Sequence, residues 1–262
     1  MHPASASVEK NDLMHTSDRV PESAAPRIGL LQGTRRALLV KAWDVSGVAV
    51  ARYYERLLLQ HGRSPHALAE RAEDKDFEFY QHLFQELELP AQLSVLDIGC
   101  GMGDLIDFLQ SRAANIESYL GIDLVGQFIN LCRQEYLPPC RFQQANFVSN
   151  SFVPSENFDL VVNIGVLVSR VFRYEEYVEY CIEKMIALST KYVLFNCITE
   201  VDRSLGNYND AGRIGNITCL PKRRLDQILT RSTRQIGADF CIHEVRIYPD
   251  ATDAFVRITL KG

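Results

Sequence analysis

Apolar and polar positions change period several times along this chain. At residues 94–98 a short apolar run, SVLDI, breaks at once into Gly99, Gly101 and Gly103, and an apolar-periodic stretch resumes after Asp104. That is the pattern of a strand, a tight glycine turn and a helix start. Residues 119–123, 141–145, 158–163 and 192–196 read as further short strands. Helical spacing separates some of them, over 126–136, with Phe128, Leu131, Cys132 and Tyr136 on related faces, and over 174–189. A helix over 221–234 follows, and Pro221 suits its first position. Residues 240–248 and 254–260 instead alternate apolar and polar around Pro249 and Asp250, which signals a hairpin. Strand–helix alternation predicts an α/β fold of three α/β/α layers, with a seven-stranded, mostly parallel sheet that ends in an antiparallel hairpin.

Ahead of the first strand the pattern is helical. Residues 47–61 carry Val48, Val50, Tyr53, Tyr54, Leu57, Leu58 and Leu59, and residues 74–87 place Phe77, Tyr80, Leu83 and Phe84 at helical spacing. Residues 1–27 are rich in Ser, Ala, Pro and charge without a sustained period, as in a disordered arm or one that orders on a partner. The expected organisation is an arm over 1–27, a helical cap or lid over 28–90, and a cofactor-binding domain over 91–262.

Composition narrows the partners. Of 262 residues, 47% are hydrophobic and 23% charged, and the formal net charge is −5. A negative balance opposes nucleic-acid binding, which wants a basic face. The basic residues Lys222, Arg223, Arg224, Arg231 and Arg234 read first as a solvated helix face, and second as a dock for an acidic carrier protein or an anionic substrate. The longest apolar run, near 160–168, contains Asn163 and suits a buried strand rather than a membrane span. Seven scattered cysteines without a C-x-x-C pair, and no basic-then-apolar leader, read as a reduced cytoplasmic protein.

The glycine turn is where chemistry enters. Such a turn lets backbone approach a ligand closely and aims helix-terminal N–H groups at it. The dinucleotide fingerprint G-x-G-x-x-G needs a glycine at 104 if Gly99 is its first, and Asp104 stands there. A carboxylate in that first helical turn would repel a pyrophosphate. Asp123, about 20 residues beyond the loop, can accept from both hydroxyls of a ribose in either kind of nucleoside cofactor.

The actual spacing, Asp97-x-Gly99-x-Gly101-x-Gly103, resembles motif I of the class I S-adenosylmethionine (SAM) methyltransferases. The segments 165–167, 176–177, 184–189 and 193–196, with the upstream segments 53–57 and 64–68, resemble a bacterial subgroup of that family. The resemblance implies a SAM cofactor held by Asp97, Gly99, Cys100, Gly101, Gly103, Asp123 and Leu124. It also implies an adenine site at Asn146 and Phe147, with Asn163 and Gly165 facing the sulfonium. The family commonly has an acid where Asn146 stands; the amide oxygen can still accept from the adenine amino group, and its NH2 could donate to a ring nitrogen.

SAM carries an already activated methyl group, so alignment of the acceptor and exclusion of water do most of the work. The candidates for orienting an acceptor are Tyr53, Tyr54 and Asn196. His61 and His66 flank a turn and read as solvated loop residues. Residues 163–166, Asn-Ile-Gly-Val, lack the Asn/Asp-Pro-Pro-aromatic motif of nucleobase-amide methylation, and no His/Asp/Glu cluster suggests a metal. The loop over 202–216 is a substrate lid or a surface loop. The expected reaction is methyl transfer to a small-molecule acceptor, of natural-product type and conceivably carrier-bound. The alternatives are an NAD(P)-binding oxidoreductase, a noncatalytic SAM-binding protein and an RNA methyltransferase.

Overall fold

The computed structural model describes residues 34–69, 77–202, 204 and 217–261. The arm over 1–27 and almost all of the 202–216 loop lie outside them. Helix α1 (Thr34–His61) and a single 3₁₀ turn (Pro65–Leu68) precede α2 (Glu78–Leu83). Then come β1 (Leu93–Ile98), α3 (Asp104–Ser111), β2 (Ile116–Asp123), α4 (Gly126–Glu135), β3 (Cys140–Gln144) and β4 (Phe158–Asn163). The chain continues through α5 (Tyr174–Leu188), β5 (Ser189–Val201), α6 (Lys222–Arg234), β6 (Asp239–Tyr248) and β7 (Ala251–Thr259).

All seven strands form one sheet in the order β3-β2-β1-β4-β5-β7-β6. The first five are parallel; β7 lies antiparallel to β5, and β6 antiparallel to β7. The expected three-layer α/β fold is therefore the one observed. Its central strands are apolar almost throughout because both faces are covered. Leu96, Ile98, Val161, Val193 and Phe195 pack in a core with residues of α1, α5 and α6. Val95, Leu160, Val162 and Leu194, the alternate residues, pack with α2, α3 and α4.

Three elements differ from the pattern reading. Helix α1 begins thirteen residues before the expected Gly47, because Leu39, Val40 and Trp43 form a buried face that the intervening Arg35, Arg36, Lys41 and Asp44 obscure. Trp43 packs against Tyr177 and Tyr180, with ring centroids 5.6 and 5.3 Å apart, and its Nε1 donates to the Phe172 carbonyl at 2.7 Å. Strand β5 runs from Ser189 to Val201, because its pairing with β7 carries it past the apolar stretch into Thr199 and Glu200. Helix α2 is six residues long, and the expected start of that helix falls in residues outside the description.

Candidate active site

Parallel strands end on one edge of the sheet, and open α/β folds place their ligands there. At this edge β1 gives way to a loop in which Gly99, Gly101 and Gly103 have φ of +75°, +50° and +96°. Two of these positions are also sterically closed. A Cβ on Gly99 would overlap Val166 Cγ2, and one on Gly103, which caps α3, would overlap the Tyr136 ring. Backbone N–H groups of Gly99 and Cys100 donate to the Ile122 carbonyl at 2.8 and 3.0 Å, which ties the loop to β2.

Asp123 ends β2 on the cavity wall. Its Oδ2 accepts from the Gly101 N–H at 3.1 Å, and its Oδ1 from the Val125 N–H at 2.8 Å. Burial raises its carboxyl to about 6 against the opposing pull of those N–H groups. The Leu124 N–H pulls the same way, and three donors leave one of the four lone-pair sites for a ribose hydroxyl. Asp97 sits differently. It is buried, accepts from the Tyr119 hydroxyl at 2.5 Å, and is raised to about 7 chiefly by burial.

A cavity of about 980 Å³ opens in front of the loop. Of the cofactor candidates, Gly99, Cys100, Gly101, Asp123, Leu124, Asn146, Phe147 and Gly165 line it. Asp97, Gly103 and Asn163 do not: the first two support the loop from behind. Asn163 is wholly buried at the end of β4, and neither its Oδ1 nor its Nδ2 has a hydrogen-bond partner.

The same cavity is lined by all three acceptor-side candidates, Tyr53, Tyr54 and Asn196. The two tyrosine rings meet edge to face at 5.2 Å. Asn196 is 1% exposed; its Oδ1 accepts from the Gly165 N–H at 2.8 Å, and its Nδ2 donates to Asp253 Oδ1 at 3.3 Å. Asn196 thus fixes the bend that follows β4. His61 and His66 pair with each other at 5.5 Å, are exposed, and do not line the cavity.

Residues that sequence reasoning missed complete the wall. Asp253, on β7, is buried and faces the cavity, a placement set by strand pairing and signalled by nothing local. Lys184 has a signal: it sits on the buried face of α5, seven residues after Tyr177 and three after Cys181. Its Nζ donates to the carbonyls of Phe147, Ser149 and Phe152, so it braces the loop after β3. Desolvation lowers it to about 8. The basic face of α6 is largely paired internally: Lys222 with Asp226, Arg224 with Glu175, and Arg231 with Glu179.

Residues 95–185 match a family model described as a methyltransferase domain. No curated protein matches the chain. Among solved structures, the plantazolicin methyltransferase BamL, crystallised with a triazolic desmethyl analog and SAH, is similar at 14% identity. That match covers 86% of this chain and 99% of that one, with a TM-score of 0.55. A SAM-dependent methyltransferase from Clostridium acetobutylicum is 12% identical over 78% of this chain and 98% of that one, with a TM-score of 0.54. Magnesium protoporphyrin IX methyltransferase from Synechocystis with bound SAH is 14% identical over 87% of this chain and 100% of that one, at 0.50. The chain shares the Rossmann-like fold of these methyltransferases, and the stretch from β1 through most of α5 matches the methyltransferase-domain model.

Proposed function

We propose that this methyltransferase uses SAM to methylate a small-molecule acceptor of the natural-product type, held at the far end of the 980 Å³ cavity. The observation that carries the reading is Asp123, a carboxylate at the end of β2 on the cavity wall, beside a loop that only backbone of positive φ can form. When bound, SAM supplies a methyl group already activated by its sulfonium. Asp123 takes a ribose hydroxyl, and the glycine loop, free of Cβ atoms, lets the methionine end lie close against backbone. Asn196 sets the Gly165 bend between the two halves of the cavity, and Tyr53 and Tyr54 offer rings and hydroxyls to the acceptor. Catalysis is by alignment and exclusion of water.

The cavity volume sits at the upper end of the roughly 300–1,000 Å³ typical of small-molecule sites, enough for a cofactor and a second molecule. The internal pairing on α6 speaks against a phosphate-rich acceptor and leaves less free charge for a carrier protein. All seven cysteines are free, four of them buried, which suits a cytoplasmic setting. Among the described residues no helix is long and apolar enough to cross a membrane. Calorimetric titration with SAM, SAH and NADH tests the cofactor: SAM and SAH should bind and NADH should not. Tight NADH binding without SAM binding would sink the reading. Transfer of label from methyl-labelled SAM to small-molecule extracts then tests turnover, and binding without transfer under any acceptor would leave only a SAM-binding protein.

A further inference from the structure

The amide of Asn146 is held from both ends. Its Nδ2 donates to Asp44 Oδ1 at 2.9 Å, and its Oδ1 accepts from the Val148 N–H at 3.3 Å. Asp44 reaches it from α1, which lies a hundred residues away in sequence. Gly47, three residues later on the same helical face, comes so close that a Cβ there would lie 2.9 Å from Asn146 Nδ2. Asn146 therefore sits wedged between α1 and its own loop, on the wall of the cavity.

An asparagine amide is chemically ambiguous, because either end can face a given neighbour. A carboxylate beside it removes the ambiguity: it only accepts, so the nitrogen must face α1 and the oxygen the other way. With Val148 satisfied, that oxygen retains one lone pair. Strand β3 neighbours β2, with Gln144 opposite Asp123, so the residues just past β3 border the space into which a base extends from a ribose on Asp123.

We propose that Asp44 is a positioning residue that locks Asn146 as an acceptor for the exocyclic amino group of adenine, making this end of the cavity selective for 6-amino over 6-oxo purine nucleosides. The proposal rests on the SAM reading and adds to it the residue of α1 that fixes which end of the Asn146 amide faces the base. A 6-oxo group would bring a second oxygen against Asn146 Oδ1, and the amide cannot turn over because its nitrogen is committed to Asp44. Sites built to hydrogen-bond a particular donor reject analogues that lack it, here by roughly tenfold to a hundredfold given the partial exposure of Asp44.

The test compares calorimetric dissociation constants for SAH and S-inosylhomocysteine. The unaltered protein is expected to prefer SAH by at least about tenfold. In Asp44→Asn the new side chain can either donate or accept, so only the 3.3 Å contact with Val148 still orients the Asn146 amide, and the ratio should fall severalfold. A purely structural role for Asp44 would weaken both ligands equally and preserve the ratio, which overturns the proposal. So does a protein that shows no preference to begin with. Should Asp44→Asn fail to fold, Asn146→Ala must abolish the preference in its place, and an unchanged ratio there is equally fatal. Failure of the unaltered protein to bind SAH at all is a different result: it defeats the SAM reading itself.

Discussion

Lys184 Nζ donates to the carbonyl oxygen of Phe147 at 2.6 Å, so a charged group on α5 holds a residue of the cavity wall in place. The carbonyls of Ser149 and Phe152 complete its shell at 3.1 Å each, and the rings of Phe147 and Phe152 lie 5.2 and 5.3 Å from the ammonium. Replacement by methionine would keep the volume and orphan three carbonyls.

We expect Lys184→Met to lose about 2–4 kcal/mol of stability by denaturant melts, the worth of two charged hydrogen bonds after relief of lysine desolvation. SAH should also bind more weakly. There is a pH signature. The folded-state value, about 8, lies below the usual 10.5, so the unfolded chain holds the proton longer. Stability of the unaltered protein should gain a rising contribution between pH 8 and 10.5 that the methionine variant lacks.

The relation between Asp44 and Asn146 makes an acid at position 146 costly. Asn146→Asp would set two carboxylates about as close as the present 2.9 Å hydrogen bond. Below its raised pKa the pair shares a proton; as pH rises to 8 the charges repel. The variant should lose on the order of 2 kcal/mol more stability at pH 8 than at pH 5, after discounting for solvent screening at these partly exposed groups. Thermal melts at the two pH values measure it.

Gly99→Ala combines a φ of +75° with an overlap on Val166, a branched side chain that cannot swing clear. The expected cost is about 2–4 kcal/mol, with SAH affinity reduced at least tenfold because the loop is displaced. Circular dichroism melts and calorimetry report the two effects separately.

Asp123 predicts how cofactor affinity follows pH. Its folded value of about 6 is raised above 3.8, so the unliganded protein binds a proton more readily than the unfolded chain, and ionising Asp123 costs stability as pH rises through 4 to 6. Ribose hydroxyls prefer the ionised form. The dissociation constant for SAH should accordingly weaken up to tenfold per unit below pH 6 and level off above pH 7. Asp123→Asn should flatten that slope and weaken SAH by roughly tenfold to a hundredfold at pH 8.

Asn196→Ala would strand the Gly165 N–H and remove the neighbour of buried Asp253. We expect kcat to fall by on the order of a hundredfold through misplacement of the bend, with SAH affinity changed far less. Steady-state kinetics beside calorimetry separate the two.

The glycine loop and the strands on either side of it were legible because each residue there answers a local demand: apolar on both faces, then a backbone that only glycine tolerates. Asp123 was legible for the same reason, as an acid at a strand end. The beginning of α1 was not, since Arg35, Arg36, Lys41 and Asp44 interrupt its apolar face and the burial of Trp43 depends on Tyr177 and Tyr180, more than 130 residues away. Nor could local pattern show that Asp44 meets Asn146. The hairpin pattern gave the pairing of the last two strands, yet not which of them lies against β5, and Asp253 enters the cavity only because β7 does.

That insertion of β7 has a consequence for biosynthesis. The glycine loop and Asp123 are made before β4 leaves the ribosome, but the strand that brings Asp253 to Asn196 is not complete until Thr259. A nascent or prematurely stopped chain would have β5 and β6 with a missing strand between them, two unpaired edges and a cavity without Ala251 and Asp253 in its wall. Synthesis from the N-terminus therefore completes the glycine loop and Asp123 well before the strand that closes the sheet.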